Sequence, residues 1–164
     1  MEKLKKELIA LLGENARYSF KQLADMTGVT EEQAKSAVKE LEKDGVIVKY
    51  SAIINSEAIE DYNKVQALIE VKVAPQKLRG FDAYADDLCS FKEVQSLYLM
   101  SGGFDLAVFV EGSAITDIAK FVSEKLSFID GVVSVQTHFI LKKYKLEGHV
   151  TKPLEETRRQ IIQA

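Results

Sequence analysis

Lys35, Lys39 and Lys43 recur at i, i+4 and i+8 in a segment of helical composition, so their ammonium groups share one face. A row of cations at that spacing suits the phosphates of a nucleic acid. Glu32, Gln33 and Ser36 lie on the same side, away from the apolar positions Ala34, Val38 and Leu41. A glutamine so placed pairs with an adenine edge. Arg17 and Lys21 stand shortly upstream and suit contacts to a nucleic-acid backbone. The plainer alternative is a solvated helix whose charges pair among themselves, Glu31 with Lys35 for example, at a few tenths of a kcal/mol each.

A second cluster is Ser101-Gly102-Gly103-Phe104-Asp105. Glycines let a ligand approach the backbone and expose N–H groups that suit a carboxylate. Asp105 adds an acceptor for an amino group, so the loop has the chemistry to hold both charged ends of an amino acid. The alternative is a hairpin turn with positive φ at Gly102 or Gly103 and Asp105 satisfying local amides. Other chemistry is not indicated. His138 and His149 are eleven positions apart, without metal-ligand spacing, and Cys89 ends an apolar helical stripe and reads as core. There is no Ser/His/Asp arrangement, phosphate loop or dinucleotide fingerprint, so neither a catalytic centre nor a cofactor is expected.

The elements that must position these residues are legible from caps and periodicity. Residues 2–14 carry Leu4, Leu8, Leu11 and Leu12 on one stripe and predict a helix. Ser19-x-x-Gln22 and Thr30-x-x-Gln33 both have the form of a capping box, a hydroxyl at the N-cap and Gln at the third helical position. Between them only a short helix burying Leu23, Ala24 and Met26, then a tight turn at Gly28, fits. This is the layout of a helix-turn-helix, whose second helix, from Thr30 to about Lys43, enters the major groove of double-stranded DNA. Gly45 marks its end and residues 46–54 read as a strand. Residues 55–63 are a polar connector.

Beyond it the pattern changes to β-α-β-β-α-β over residues 64–145, a ferredoxin-like arrangement, so the whole chain is of the α+β class. The strands are 65–73, 94–100, 104–110 and 132–141. One helix carries Leu78, Phe81, Tyr84, Ala85 and Leu88; the other, 113–128, carries Ile115, Ile118, Ala119, Val122 and Leu126. Strand 104–110 is apolar on both faces (Leu106, Val108 and Val110 against Phe104, Ala107 and Phe109), and strand 132–141 sets Val133, Val135, Phe139 and Leu141 on one side. An open sheet with that much apolar surface predicts sheet-on-sheet pairing of two copies. The tail, 146–164, has the spacing of a weakly amphipathic helix at Leu154, Ile161 and Ile162.

Bulk properties bound the partners. Residues 1–63 hold nine Lys and Arg against twelve Asp and Glu, so the segment expected to meet DNA is not basic by sum, and tight nonspecific phosphate binding is not expected. No apolar run is long enough to span a membrane, and no apolar core of a signal peptide follows the start, so the expectation is a cytoplasmic protein without membrane contact.

Together these stretches resemble the Lrp/AsnC, or feast-famine, transcription regulators over residues 4–145. The resemblance rests on Asn15-Ala16-Arg17, Ser19-x-x-x-Leu23-Ala24, Leu41-Glu42-x-x-Gly45-Val46-Ile47-x-x-Tyr50, Ser101-Gly102-x-x-Asp105, and Gly131-Val132 followed by Thr137-His138-Phe139-x-Leu141-Lys142-x-Tyr144-Lys145. It implies an N-terminal DNA-binding domain and a C-terminal ligand-sensing domain. It also implies homodimers that assemble further, commonly to octamers, and control by small molecules, often amino acids. In such proteins the loop at Ser101 to Asp105 lines an effector pocket between dimers, which Thr137 and Phe139 would complete. One departure falls on the reading helix, where the family often shows Arg followed by Val and more basic residues. Here the run is Ala37-Val38-Lys39-Glu40, so the Arg position is Ala37 and a basic position is Glu40. A protein of the family with weakened DNA binding is therefore an alternative. A further one is a siroheme-decarboxylase-like enzyme of the same layout, against which stand two His and only Arg17, Arg79, Arg158 and Arg159 as extra cationic groups.

Overall fold

The computed structural model describes residues 2–74 and 80–151. Pro75 and Leu78, and the helical tail expected from Leu154 onward, lie outside them. The chain divides into two compact units, Met1–Ile54 and Asn55–Ala164.

The first unit is three helices, α1 (Glu2–Glu14), α2 (Phe20–Thr27) and α3 (Glu31–Lys43). Leu8, Leu23, Ala24, Ala34, Ala37, Val38 and Leu41 form its buried core, with Leu4, Leu11, Leu12, Val29 and Ile47 packed against it. Three of the seven buried residues are alanines on α2 and α3, which lets these two short helices approach closely. Met26, expected in this core, is exposed; the stripe of α2 is narrow enough to be filled by Leu23 and Ala24.

Residues 46–54 form no strand. The Val46 and Ile47 amides are tied back to the Leu41 carbonyl and the Tyr50 hydroxyl donates to Glu42 Oε1 (2.9 Å), while Val48 is 89% exposed. A β-branched segment becomes a strand only where a ladder partner accepts its backbone, and the described residues offer none.

The second unit starts with a 3₁₀ turn (Ser56–Ala58) and continues β1 (Val65–Val73), α4 (Phe81–Cys89), β2 (Val94–Leu99), β3 (Leu106–Gly112), α5 (Ile115–Glu124), a second 3₁₀ turn (Leu126–Phe128) and β4 (Val132–Phe139). The sheet order is β2-β3-β1-β4, antiparallel throughout, so β1 is paired on both edges. A two-residue hairpin, β5 (Lys145–Leu146) and β6 (His149–Val150), follows, turned by Glu147 and Gly148, both at positive φ.

The period of two on β1 decides the layers. Ala67, Ile69, Val71 and Val73 are buried against Tyr84 and Leu88 of α4 and Ile118 and Phe121 of α5. The opposite face carries Leu68, Glu70 and Lys72, with Ala107 and Phe109 of β3, Tyr98 of β2 and His138 of β4 in register. Tyr98 and Phe109 meet edge to face at 5.9 Å, and His138 lies 3.3 Å from Glu70.

Several details differ from expectation. The buried residues of α5 are Ile118 and Phe121, with Leu126 following in the 3₁₀ turn, while Ile115 and Ala119 are exposed; Ala119 is a full 100° step round the helix from Ile118. The helix ends at Glu124, because Lys125 leaves helical geometry (φ −120°, ψ −62°). On β4 a bulge opposite Lys72/Val73 skips Val133, so Val132 takes its place on the core beside Val135, as expected for the latter, and Val133 is exposed. Leu141 lies beyond the strand and is exposed. Cys89 is exposed at the end of α4 rather than in the core. Among the described residues no helix is long and apolar enough to cross a membrane.

Phe121, which also makes an edge contact with Phe91 at 5.5 Å, is the residue that distinguishes the observed stripe from the expected one. Phe121→Ala is expected to lower stability by about 3–5 kcal/mol in denaturant unfolding. Ile115→Ala should stay within about 0.5 kcal/mol.

Candidate nucleic-acid interface and effector loop

The helix-turn-helix is held by reciprocal caps. At α2 the Gln22 amide donates to Ser19 Oγ (3.2 Å) and the Ser19 amide to Gln22 Oε1 (2.9 Å). At α3 the Gln33 amide donates to Thr30 Oγ1 (3.3 Å) and the Thr30 amide to Gln33 Oε1 (2.9 Å). Gly28, at φ 68°, is the left-handed residue that ends α2, a conformation a residue with a Cβ adopts at a penalty. Glu31 and Glu32 in the first turn of α3 and Lys43 in its last turn complement the helix dipole.

With Ala34, Ala37, Val38 and Leu41 turned inward, the centre of the outward face is Glu32, Ser36, Lys39 and Lys43, at i, i+4, i+7 and i+11. Lys35 sits on its flank and is half-buried. Arg17, Lys21 and Thr30 are exposed. Among the described residues Lys39 and Lys43 enter no ion pair, so both ammonium groups are available to an anionic partner. Gln33 is exposed too, but its amide oxygen is engaged by the Thr30 backbone, which leaves its NH₂ as the free end.

The glycine loop joins β2 to β3. It is closed by the Met100 amide on the Asp105 carbonyl (2.8 Å) and fastened to β1 twice. The Asp105 amide donates to the Val71 carbonyl (3.0 Å), and Asp105 Oδ2 accepts from the Val73 amide (2.9 Å). Asp105 thus satisfies an amide of β1, distant in the chain, rather than a local one, and the turn is not a positive-φ one, since neither Gly102 nor Gly103 is among the left-handed residues. Nor are they needed for space, for a Cβ added at either would meet nothing within 4 Å. Ser101, Gly102 and Gly103 are exposed.

Thr137 and Phe139 do not join this loop within one protomer. They pair with Ile69 and Ala67, on the helix-covered face. Ile69 is four residues, about 13 Å along the strand, from the amide that anchors Asp105.

Comparison with known proteins fits both halves. Residues 66–150 match the model of the Lrp/AsnC ligand binding domain, and residues 1–48 that of a winged helix-turn-helix DNA-binding domain. Over 156 residues the chain is 42% identical to the HTH-type transcriptional regulator YugG of Bacillus subtilis, covering 95% of this chain and 94% of the relative. The chain belongs to the Lrp/AsnC family. The HTH-type transcriptional regulator LrpA of Pyrococcus horikoshii is 33% identical over 140 residues, 85% of this chain and 96% of the relative. A crystal structure of a Neisseria meningitidis transcriptional regulator in complex with L-Met has the same fold, with a TM-score of 0.67 at 24% identity over 96% of this chain and 99% of that one.

Against the family pattern, the two departures on α3 acquire a structural reading. Ala37 is 4% exposed and part of the core, so in this protein the position has no outward side chain to lose. Glu40 does not point free into the outward stripe. Lys5 of α1 holds it at 3.0 Å and reaches Asp44 at 3.7 Å. The hydrogen bond to Glu40 raises the Lys5 pKa against a smaller opposing effect of desolvation. Sequence reasoning missed Lys5. Nothing local relates residues 5 and 40; only the packing of α1 on α3 brings them together.

Removing the Thr30 hydroxyl leaves the Gln33 amide without its cap. Thr30→Ala is expected to reduce unfolding free energy by about 1 kcal/mol. Ser36→Ala, on the outward stripe, should change it by less than about 0.5 kcal/mol by the same chemical denaturation.

Proposed function

We propose that this Lrp/AsnC protein is a sequence-specific regulator that docks α3 in the major groove of double-stranded DNA and whose DNA binding or assembly responds to a small effector, an amino acid. Lys39 and Lys43 contact phosphates together with Arg17, Lys21 and the flanking Lys35. Ser36, Glu32, Thr30 and the free NH₂ of Gln33 face the base edges. The Lys5 pairing of Glu40 supports this reading, since it neutralises the carboxylate that would otherwise repel the backbone.

The observation that carries the sensing half is the glycine pair of the 101–105 loop. Both glycines are exposed and a Cβ at either would meet nothing within the protomer, so the main chain there is open to close approach by a ligand or a second copy. The complex of the Neisseria meningitidis relative with L-Met supports an amino acid as effector. Thr137 and Phe139 reach such a ligand only from another protomer, because within one chain they sit on the helix side of the sheet.

Homodimers, assembling further to octamers, supply that second protomer. The unpaired segment 46–54 and the open sheet face with Leu68, Tyr98 and Phe109 are the surfaces that gain from pairing. An effector acts only if it binds two arrangements of these protomers differently.

Two experiments test the reading. Lys39→Ala should weaken binding to the protein's operator and lower the slope of log affinity against log salt by about 1. An unchanged slope would take Lys39 off the phosphates. In a thermal-shift screen of the amino acids, a binder at 100 times its Kd should stabilise by about 2.7 kcal/mol. Asp105→Ala and Gly102→Val should each abolish that shift; its persistence in both would remove the loop from the site.

A further inference from the structure

The first turn of α3 carries two side chains whose hydrogen-bonding capacity the fold restricts. Gln33 is the third residue of the helix. Its Oε1 is turned back to accept the Thr30 amide (2.9 Å), while its own backbone amide donates to Thr30 Oγ1 (3.3 Å). A free glutamine offers a donor and an acceptor side by side, which is what N6 and N7 of adenine require. With its oxygen held by the cap, Gln33 presents only the NH₂ and acts as a donor.

Glu32 is the opposite case. It is exposed on the outward stripe with Ser36 and Lys39, and among the described residues its carboxylate enters no ion pair and no hydrogen bond. Glu40 and Glu42, which border that stripe, are engaged by Lys5 (3.0 Å) and by the Tyr50 hydroxyl (2.9 Å). The acceptor left open on the stripe is therefore Glu32. An ionised carboxylate accepts and cannot donate. In the major groove its match is the N4 amino group of cytosine. Guanine and thymine present acceptors there, and adenine sets its N7 acceptor beside its one amino group.

We infer that α3 reads a cytosine through Glu32 and a guanine through the Gln33 NH₂, and that it selects against adenine at both contacts. The inference rests on the reading of α3 as the helix in the major groove, where the N-terminal residues of such a helix meet base edges. Guanine suits Gln33 because N7 and O6 are adjacent acceptors, whereas adenine has a donor next to its N7. Ser36, whose hydroxyl both donates and accepts, adds no preference of this kind. A wrong base is rejected because a carboxylate against an acceptor, or an NH₂ against a donor, leaves both groups desolvated and unpaired. That cost falls on base pairs and not on phosphates, so it gives selectivity to a helix with few free lysines.

The test is selection of binding sites from a randomised duplex pool by the full chain and by two variants. Glu32→Gln keeps the size of the side chain and adds a donor beside its acceptor. Gln33→Glu keeps the oxygen that caps Thr30 and removes the NH₂; an unchanged circular dichroism spectrum checks the fold. The unaltered chain should enrich a site in which one cytosine and one guanine are each preferred over adenine about tenfold. Glu32→Gln should relax the cytosine position toward adenine, and Gln33→Glu should abolish the guanine preference, each leaving the other position as it was. On the unaltered chain, a deaza analogue lacking N7 in place of that guanine should weaken binding severalfold. Undiminished binding of the analogue overturns the guanine contact whatever the variants do. Enrichment of a site whose base preferences neither variant alters overturns the inference and leaves the groove-reading function standing. So does adenine at the position that either variant relaxes. A pool without any enriched sequence overturns both.

Discussion

The alternation along β1 is the constraint on which the second unit depends. Ala67, Ile69 and Val71 are fully buried on one face, and the strand is hydrogen-bonded along both edges. A strand so placed has one face for α4 and α5 and one left over. The same ladder fixes both ends of the β2–β3 hairpin. At one end the Val71 and Val73 backbone groups anchor Asp105; at the other, Gln66 and Lys64 meet Glu111. The glycine loop and the Glu111 end of the hairpin are therefore held apart by the length of the strands themselves.

The first unit follows a different economy. Its core is small, and alanines on α2 and α3 take the place of larger side chains, so the two helices rely on close approach and on their caps. Both capping glutamines are committed to backbone amides, and what α3 then presents outward is short: Glu32, Ser36, Lys39 and Lys43. A surface with two free lysines has a modest electrostatic attraction for DNA, which agrees with the acidic balance of residues 1–63. Holding Glu40 and Asp44 with Lys5 changes the local field more than the net charge suggests, because a paired carboxylate is far less repulsive to phosphate than a free one.

Much of this was legible in the chain. The caps at Ser19 and Thr30, the stripe of α1, the buried face of β1 and the order of strands and helices all express local rules, a hydroxyl three residues before a glutamine or a period of 2 or 3.6, and these need only neighbouring residues. The open apolar face and the exposed glycine loop were also readable, since hydrophobic patterning and glycine placement are local. Misreadings arose where a local pattern had a competing tertiary claim. Residues 46–54 have strand composition but no partner strand, Val133 is the residue skipped by a bulge in its own strand, and Cys89 falls one residue past Leu88, the last buried position of its stripe.

By itself, then, the sequence determined the element types outside residues 46–54, their order, the two-domain α+β class and the family, because capping and periodicity act over a few residues. Only the tertiary structure decided that Ala37 is core, that Lys5 disarms Glu40, that Thr137 and Phe139 pair with Ile69 and Ala67 on the helix-covered face, and that Asp105 is fastened to β1. Each of these depends on groups far apart in the chain, on sheet register or helix packing. Coulomb interactions and hydrogen bonds act over a few ångströms of space, whatever the separation in sequence.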